Sequence, residues 1–315
     1  MGLRLQFAAA LAVVFLCASA GRAAAELKVV VTIKPIHSLV SQLMEGIGTP
    51  VLLVEGAASP HTFALKPSGV RAIDEADVFI RVSETLEPFT DKIVHALPDS
   101  VHLVTLIEAP GLKLLDLRTG GTFEPHQHGG AAHEGAGEQD GGAKDGHIWL
   151  DPGNAKVIVS YLAQVLSERA PADADRLKAN AQQLNAKIDA LTAEIAAEME
   201  PLAGRPFVVF HDAYQYFADR FDLDSVGSIT VSPERQPSAK RLSELRQKIR
   251  ALHAVCLFAE PLFQPHLVAA VIEGTDVRMG TLDPEGALLP AGGELYFALM
   301  RNLAAGFKSC LGPAS

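Results

Sequence analysis

From Leu27 onward, short apolar runs alternate with stretches whose apolar residues recur every three or four positions. KVVVTI (28–33), VLLV (51–54), DVFIRV (77–82) and VHLVTLI (101–107) have the near-continuous, β-branched character of buried strands, and Pro35 to Met44 has the period of a helix. The second half repeats the alternation with FVVF (207–210), SVGSITV (225–231), AVCLFAE (254–260) and DVRMGTL (276–282). Such strands, separated by helical patterns, predict an α/β chain whose parallel sheets are covered by helices.

Two segments break the rhythm. Ala172 to Met199 contains no Gly or Pro, and Leu177, Leu184, Ile188, Leu191, Ile195 and Met199 recur at spacings of three, four and seven. Asp173 stands at its start, and Pro201 with Gly204 ends it, so the pattern predicts one helix. At 1.5 Å per residue it is about 40 Å long, more than one small lobe needs, and it reads as a rigid connector between two lobes. A coiled-coil seam is the alternative, but no partner segment follows. The second break, residues 119–146, is Gly-rich and polar without an apolar period, so burial cannot offset its ordering entropy and it reads as a flexible, disordered or weakly ordered loop rich in His and acidic residues. The expected organisation is a leader at 1–25, an N-terminal lobe at 26–170 containing that loop, a linking helix at 171–203 and a C-terminal lobe at 204–315.

The leader changes the compartment. Arg4 precedes LQFAAALAVVFLCASA, and Ala23-Ala24-Ala25 supplies small residues for cleavage, the pattern of a secretory signal. The run is short for a membrane span, and Leu16 before Cys17 does not suit a lipoprotein. The mature chain is expected to begin near Glu26, outside the cytoplasm. Loss of Arg4 and Arg22 moves the net charge from −10 to −12, which argues against nucleic acid or anionic lipid as partner and is compatible with a cationic cargo. Cys17 leaves with the leader. The remaining pair, Cys256 and Cys310, in an oxidising compartment, predicts one disulfide, with two buried thiols as the alternative.

The candidate chemistry is spread thinly. His61 lies in GAASPHTFALKPS, His147 in HIWLDP, His211 in FHDAYQYF and Asp283 in TLDPEG, at separations of 86, 64 and 72 residues. Each stands at the end of a predicted strand or in the loop after it, where ligands of open α/β sheets collect. No zinc-finger spacing, H-E-x-x-H or nucleophile elbow is present. Singly, each has an ordinary explanation: a loop cap for His61, the last member of a histidine cluster for His147, a core histidine for His211, a turn residue for Asp283.

Taken together, G-x-x-P-H…L-x-P-S, H-x-W-L-D-P, F-H-D-A-Y-x-Y-F and L-D-P-x-G resemble the zinc-specific periplasmic solute-binding proteins of ABC transporters, the metal receptors with a long helical backbone. The resemblance covers essentially the whole mature chain. It implies two α/β lobes joined by one long rigid helix, with the metal site between them. It also implies His61, His147 and His211 as zinc ligands, with Asp283 or a water in fourth place. Three imidazoles with one oxygen donor suit Zn²⁺. Manganese members of the group carry a carboxylate where this chain has His211, a harder site, so His211 is the expected selectivity residue. Pro60 stands where some zinc members have an acidic residue before the first histidine. A Gly-rich histidine loop is also found in many zinc members. In it, His126, His128 and His133 read as a weak auxiliary metal site, or alternatively as part of a solubilising insertion.

The resulting expectation is a monomeric periplasmic receptor, not an enzyme, that captures Zn²⁺ as cargo and delivers it to a membrane permease working with a cytoplasmic ATPase. A manganese or iron receptor is the alternative in the same family, and a periplasmic zinc buffer differs only in its partner. A secreted zinc hydrolase is the rival from another class, with Asp212 and Glu260 as candidate bases.

Overall fold

Along β1 (Val29–Val31), Val29 and Val31 join one apolar cluster while Val30 joins another, and the same division by alternate residues runs through most of the strands. The computed structural model describes residues 27–118, 123, 142–230, 239–261 and 265–313. Among these, β1, β2 (Val51–Leu52), β3 (Val78–Arg81) and β4 (His102–Thr105) form a parallel sheet in the order β2-β1-β3-β4. The helices that return the chain between them are α1 (Lys34–Leu43), α2 (Pro67–Asp74) and α3 (Asp91–Val94). Then come α4 (Pro152–Arg169) and the 26-residue α5 (Ala174–Met199). A second parallel sheet follows, of β5 (Phe207–His211), β6 (Ser225–Thr230), β7 (Cys256–Ala259) and β8 (Arg278–Thr281), in the order β6-β5-β7-β8. It is accompanied by α6 (Gln215–Arg220), α7 (Ala239–Ala251), α8 (Pro265–Ile272) and α9 (Leu295–Leu311).

The period-2 division explains how the lobes are joined. Inner-facing residues of both sheets (Val29, Val31, Val78 and Ile80 in the first; Phe207, Val209, Cys256 and Phe258 in the second) belong to one continuous cluster with α1, α4, α5 and α9. Outer-facing Val30 and Phe79 pack into a separate cluster with Ile73 of α2 and Ile93 of α3. Val208, Phe210 and Leu257 do the same with Leu245 and Ile249 of α7 and Val268 of α8. Helices on both faces are what a parallel sheet requires.

The long helix buries Leu177, Ala181, Leu184, Ile188, Leu191, Ile195 and Met199, the stripe its sequence period marks. That stripe packs against α4, α1 and α9, so α5 is a spine within the core as well as a connection along the chain. Asp173 occupies the N-cap but makes no side-chain cap bond, because a 3-10 turn, Pro171–Asp173, leads into the helix. At α4 the cap is made: the Asp151 carboxylate accepts the Gly153 N–H at 2.7 Å.

The stretch 119–146 differs from expectation at its end. Residues 142–146 are placed, with Leu117 N–H donating to Ala143 O and Asp145 N–H to Leu115 O, both at 2.9 Å, and an antiparallel bridge joins Asp116 to Lys144. Loop composition hid this because the pairing partner lies across the Gly-rich segment. The leader 1–25 and His126, His128 and His133 lie outside the described residues. Cys256 on β7 and Cys310 on α9 stand at disulfide distance, with Cα atoms 6.1 Å apart.

Candidate metal centre

His211 is the last residue of β5, and the strand that buries Phe207 to Phe210 delivers its imidazole to the sheet's carboxyl edge, 3% exposed. His147 precedes a 3-10 turn, Ile148–Leu150, whose side chains are fully buried, so its ring is drawn inward with them and is 5% exposed. His61 lies in the loop between β2 and α2, half-buried, its backbone N–H donating to Ser59 Oγ at 3.3 Å.

The three histidines converge. One ring nitrogen of each lies within 4.8 Å of the other two, and ring centroids are 5.0 Å apart for His147–His211, 5.3 Å for His61–His211 and 5.9 Å for His61–His147. Two come from the N-terminal lobe and one from the C-terminal lobe. Three nitrogen donors this close, contributed by separate segments, could supply three corners of a tetrahedral metal site.

Asp283 is not in that mutually adjacent set. Its carboxylate accepts the Glu285 N–H at 3.1 Å, and the segment after it is gripped by the N-terminal lobe. Trp149 Nε1–H donates to Pro284 O at 2.9 Å, and the ammonium of Lys34 donates to Ala287 O at 2.8 Å and Leu289 O at 3.1 Å. The Ser38 hydroxyl donates to Gly293 O at 2.7 Å. The loop carrying Asp283 is thus pinned to the N-terminal lobe by α1 and Trp149.

Carboxylates stand behind two of the rings. Asp145 Oδ1 lies 2.7 Å from His147 Nδ1, and Glu260 Oε1 lies 3.4 Å from His211 Nδ1. Burial lowers the His147 pKa to about 4, against a smaller opposing effect of the Asp212 charge, so the ring is neutral at ordinary pH. Asp212 is engaged elsewhere: Arg118 donates to it through Nε at 3.0 Å and through Nη2, tying the start of the 119–146 stretch to the residue after His211. Burial, opposed by hydrogen bonds from Thr32, Val82 and Ser83, pushes Glu87 up to about 7. The Glu285 carboxyl is held well above the usual range by burial and by Asp283, Glu87 and Glu260.

Sequence reading missed Asp145, Lys34 and Arg118. For Asp145 a signal existed, an acid two residues before a candidate ligand, the spacing of an Asx turn, but it was absorbed into the loop's composition. Lys34 and Arg118 act on partners far away in sequence and leave no local pattern.

Two parallel-sheet lobes with a three-histidine cluster at their junction, two of its rings buried and one half-buried, define a metal receptor of the solute-binding type. The family described as "Zinc-uptake complex component A periplasmic" matches residues 29–310, and the chain belongs to that family, ZnuA. It is 44% identical over 304 residues to the high-affinity zinc uptake system protein ZnuA of Brucella abortus, spanning 90% of this chain and 91% of that one. It is 33% identical over 290 residues to the Yersinia pestis protein of the same name, again over 90% and 91%. Among solved structures, the solute-binding protein FpvC of Pseudomonas aeruginosa in complex with Mn²⁺ superposes with a TM-score of 0.75 over 90% of this chain and 98% of that one. At 20% identity, that likeness is one of fold.

Proposed function

We propose that this protein captures Zn²⁺ outside the cytoplasmic membrane and hands it to the permease of an ABC transporter, catalysing no reaction itself. In this reading His61, His147 and His211 are the ligands, and Asp283 or a water supplies the fourth donor. The leader at 1–25 is cleaved on export to the periplasm, Cys256 and Cys310 are bonded there, and the receptor works as a monomer. The histidines at 126, 128 and 133 add weaker capture.

The observation that carries the reading is the convergence of the three imidazoles from both lobes. Fold alone does not choose a metal, since the superposed FpvC holds Mn²⁺. The donor set does: three nitrogens favour borderline Zn²⁺ over Mn²⁺, which prefers oxygen. The hydrolase alternative loses support because the Asp212 carboxylate is committed to Arg118 and Glu260 is buried against His211. Neither is placed to activate a water for an entering substrate. Competition titration of the mature protein with Zn²⁺ and Mn²⁺ tests the assignment. Zn²⁺ is expected to displace Mn²⁺ at one equivalent, and a site that retains Mn²⁺ against equimolar Zn²⁺ contradicts it.

A further inference from the structure

We propose that Asp145 is a positioning residue for zinc, fixing the tautomer and orientation of His147 so that Nε2 alone is offered to the metal. The proposal rests on the reading of His147 as a ligand.

The Asp145 side chain is fully buried, and its Oδ1 meets His147 twice, accepting the backbone N–H at 2.9 Å and lying 2.7 Å from ring Nδ1. A carboxylate only accepts, so Nδ1 carries the ring proton and Nε2 keeps its lone pair. His147 Nε2 is buried and has no hydrogen-bond partner among the described residues, the state expected of a donor atom kept for a metal. A histidine ligand whose second nitrogen bonds a carboxylate is both oriented and made more basic.

Asp145 is itself immobilised. Its N–H donates to Leu115 O at 2.9 Å, and its carbonyl accepts the Tyr216 hydroxyl at 2.9 Å. That hydroxyl in turn accepts the Leu115 N–H at 3.0 Å. Tyr216 is on α6 of the C-terminal lobe, so the support of His147 spans the lobe junction. The main chain that carries the carboxylate is therefore fixed relative to the His147 ring.

The test uses the mature protein labelled with ¹⁵N-histidine. Long-range ¹H–¹⁵N correlation of the metal-free protein reads the His147 tautomer, and competition with a chelator reads zinc affinity. Wild type is expected to show His147 protonated at Nδ1 only. Asp145→Ala is expected to show mixed tautomers and about 10- to 100-fold weaker zinc binding. Asp145→Asn keeps an acceptor but loses the charge, so the tautomer is expected to persist with a smaller loss of affinity; it also serves if the alanine variant does not fold. A folded Asp145→Ala protein with the native tautomer and affinity within twofold of wild type overturns the proposal. So does native affinity in Asp145→Asn where the alanine variant is unfolded. His147→Ala separates the two readings: if tight binding survives that change, the ligand assignment fails first. If binding is lost there but unchanged on removing the Asp145 carboxylate, only the positioning role fails.

Discussion

His147 is neutral before any metal arrives, and this has a consequence for stability. Its pKa is about 4 in the folded protein against an ordinary value of 6.5, so between those values the unfolded chain binds a proton that the folded chain does not. Stability therefore rises with pH through this window and falls on acidification, by on the order of 3 kcal/mol from this group. Denaturant midpoints of the metal-free protein at pH 7 and pH 4.5, compared with His147→Gln, should show a smaller acid loss in the variant; equal losses would mean the ring is not held neutral by burial. Trp149, the only tryptophan in the chain, is fully buried with its ring 5.4 Å from that of His147, so its emission should change as zinc saturates. An unchanged spectrum would argue against metal at this ring. At this scale the sequence exposed the three histidines because each ends a strand or heads a distinctive motif. It could not expose Lys34 or Arg118, whose partners lie 253 and 94 residues away.

Elements were legible wherever one period dominated. All eight predicted strand segments contain strands. The inner strands β1, β3, β5 and β7 are buried on both faces and apolar almost throughout, and the edge strands β2 and β8, though partly exposed, keep enough apolar residues to be recognised. The long helix begins at Ala174, two residues later than its composition suggests, because Pro171 starts a 3-10 turn. The joints between elements were not legible. Asp151 caps α4 and also accepts from Arg220 of α6, through Nε at 2.6 Å and Nη2 at 2.8 Å. Asp151→Ala removes a cap and breaks a pair whose carboxylate is buried, so a loss of about 2 to 4 kcal/mol is expected in thermal or urea unfolding. A loss below about 0.5 kcal/mol would show that α4 and α6 are docked by apolar packing alone. The Cys256–Cys310 link closes 54 residues across β7 and α9, worth about 4 kcal/mol in the chain-entropy picture. Alkylation of native exported protein should find neither thiol free.

On the scale of the whole molecule, zinc would join segments that the chain brings together only on folding. Binding to the folded state alone stabilises it by about 4 kcal/mol at free metal a thousandfold above Kd, so the unfolding temperature should rise on adding Zn²⁺ and fall back with a chelator. Removing residues 120–141 spares the paired base at 115–117 and 143–145 and all three histidines. Closure entropy varies only logarithmically with loop length, so one tight zinc phase should survive and weaker binding should be lost. The central claim, that one zinc ion is held by imidazoles from both lobes, is tested most directly by calorimetric zinc titration of His211→Ala beside His95→Ala. His95 is exposed at the end of α3, bonded through Nδ1 to Asp91 O at 2.9 Å. The account predicts that His95→Ala keeps a tight phase near one equivalent and that His211→Ala, still folded, has none. Equal and small changes in both would contradict it.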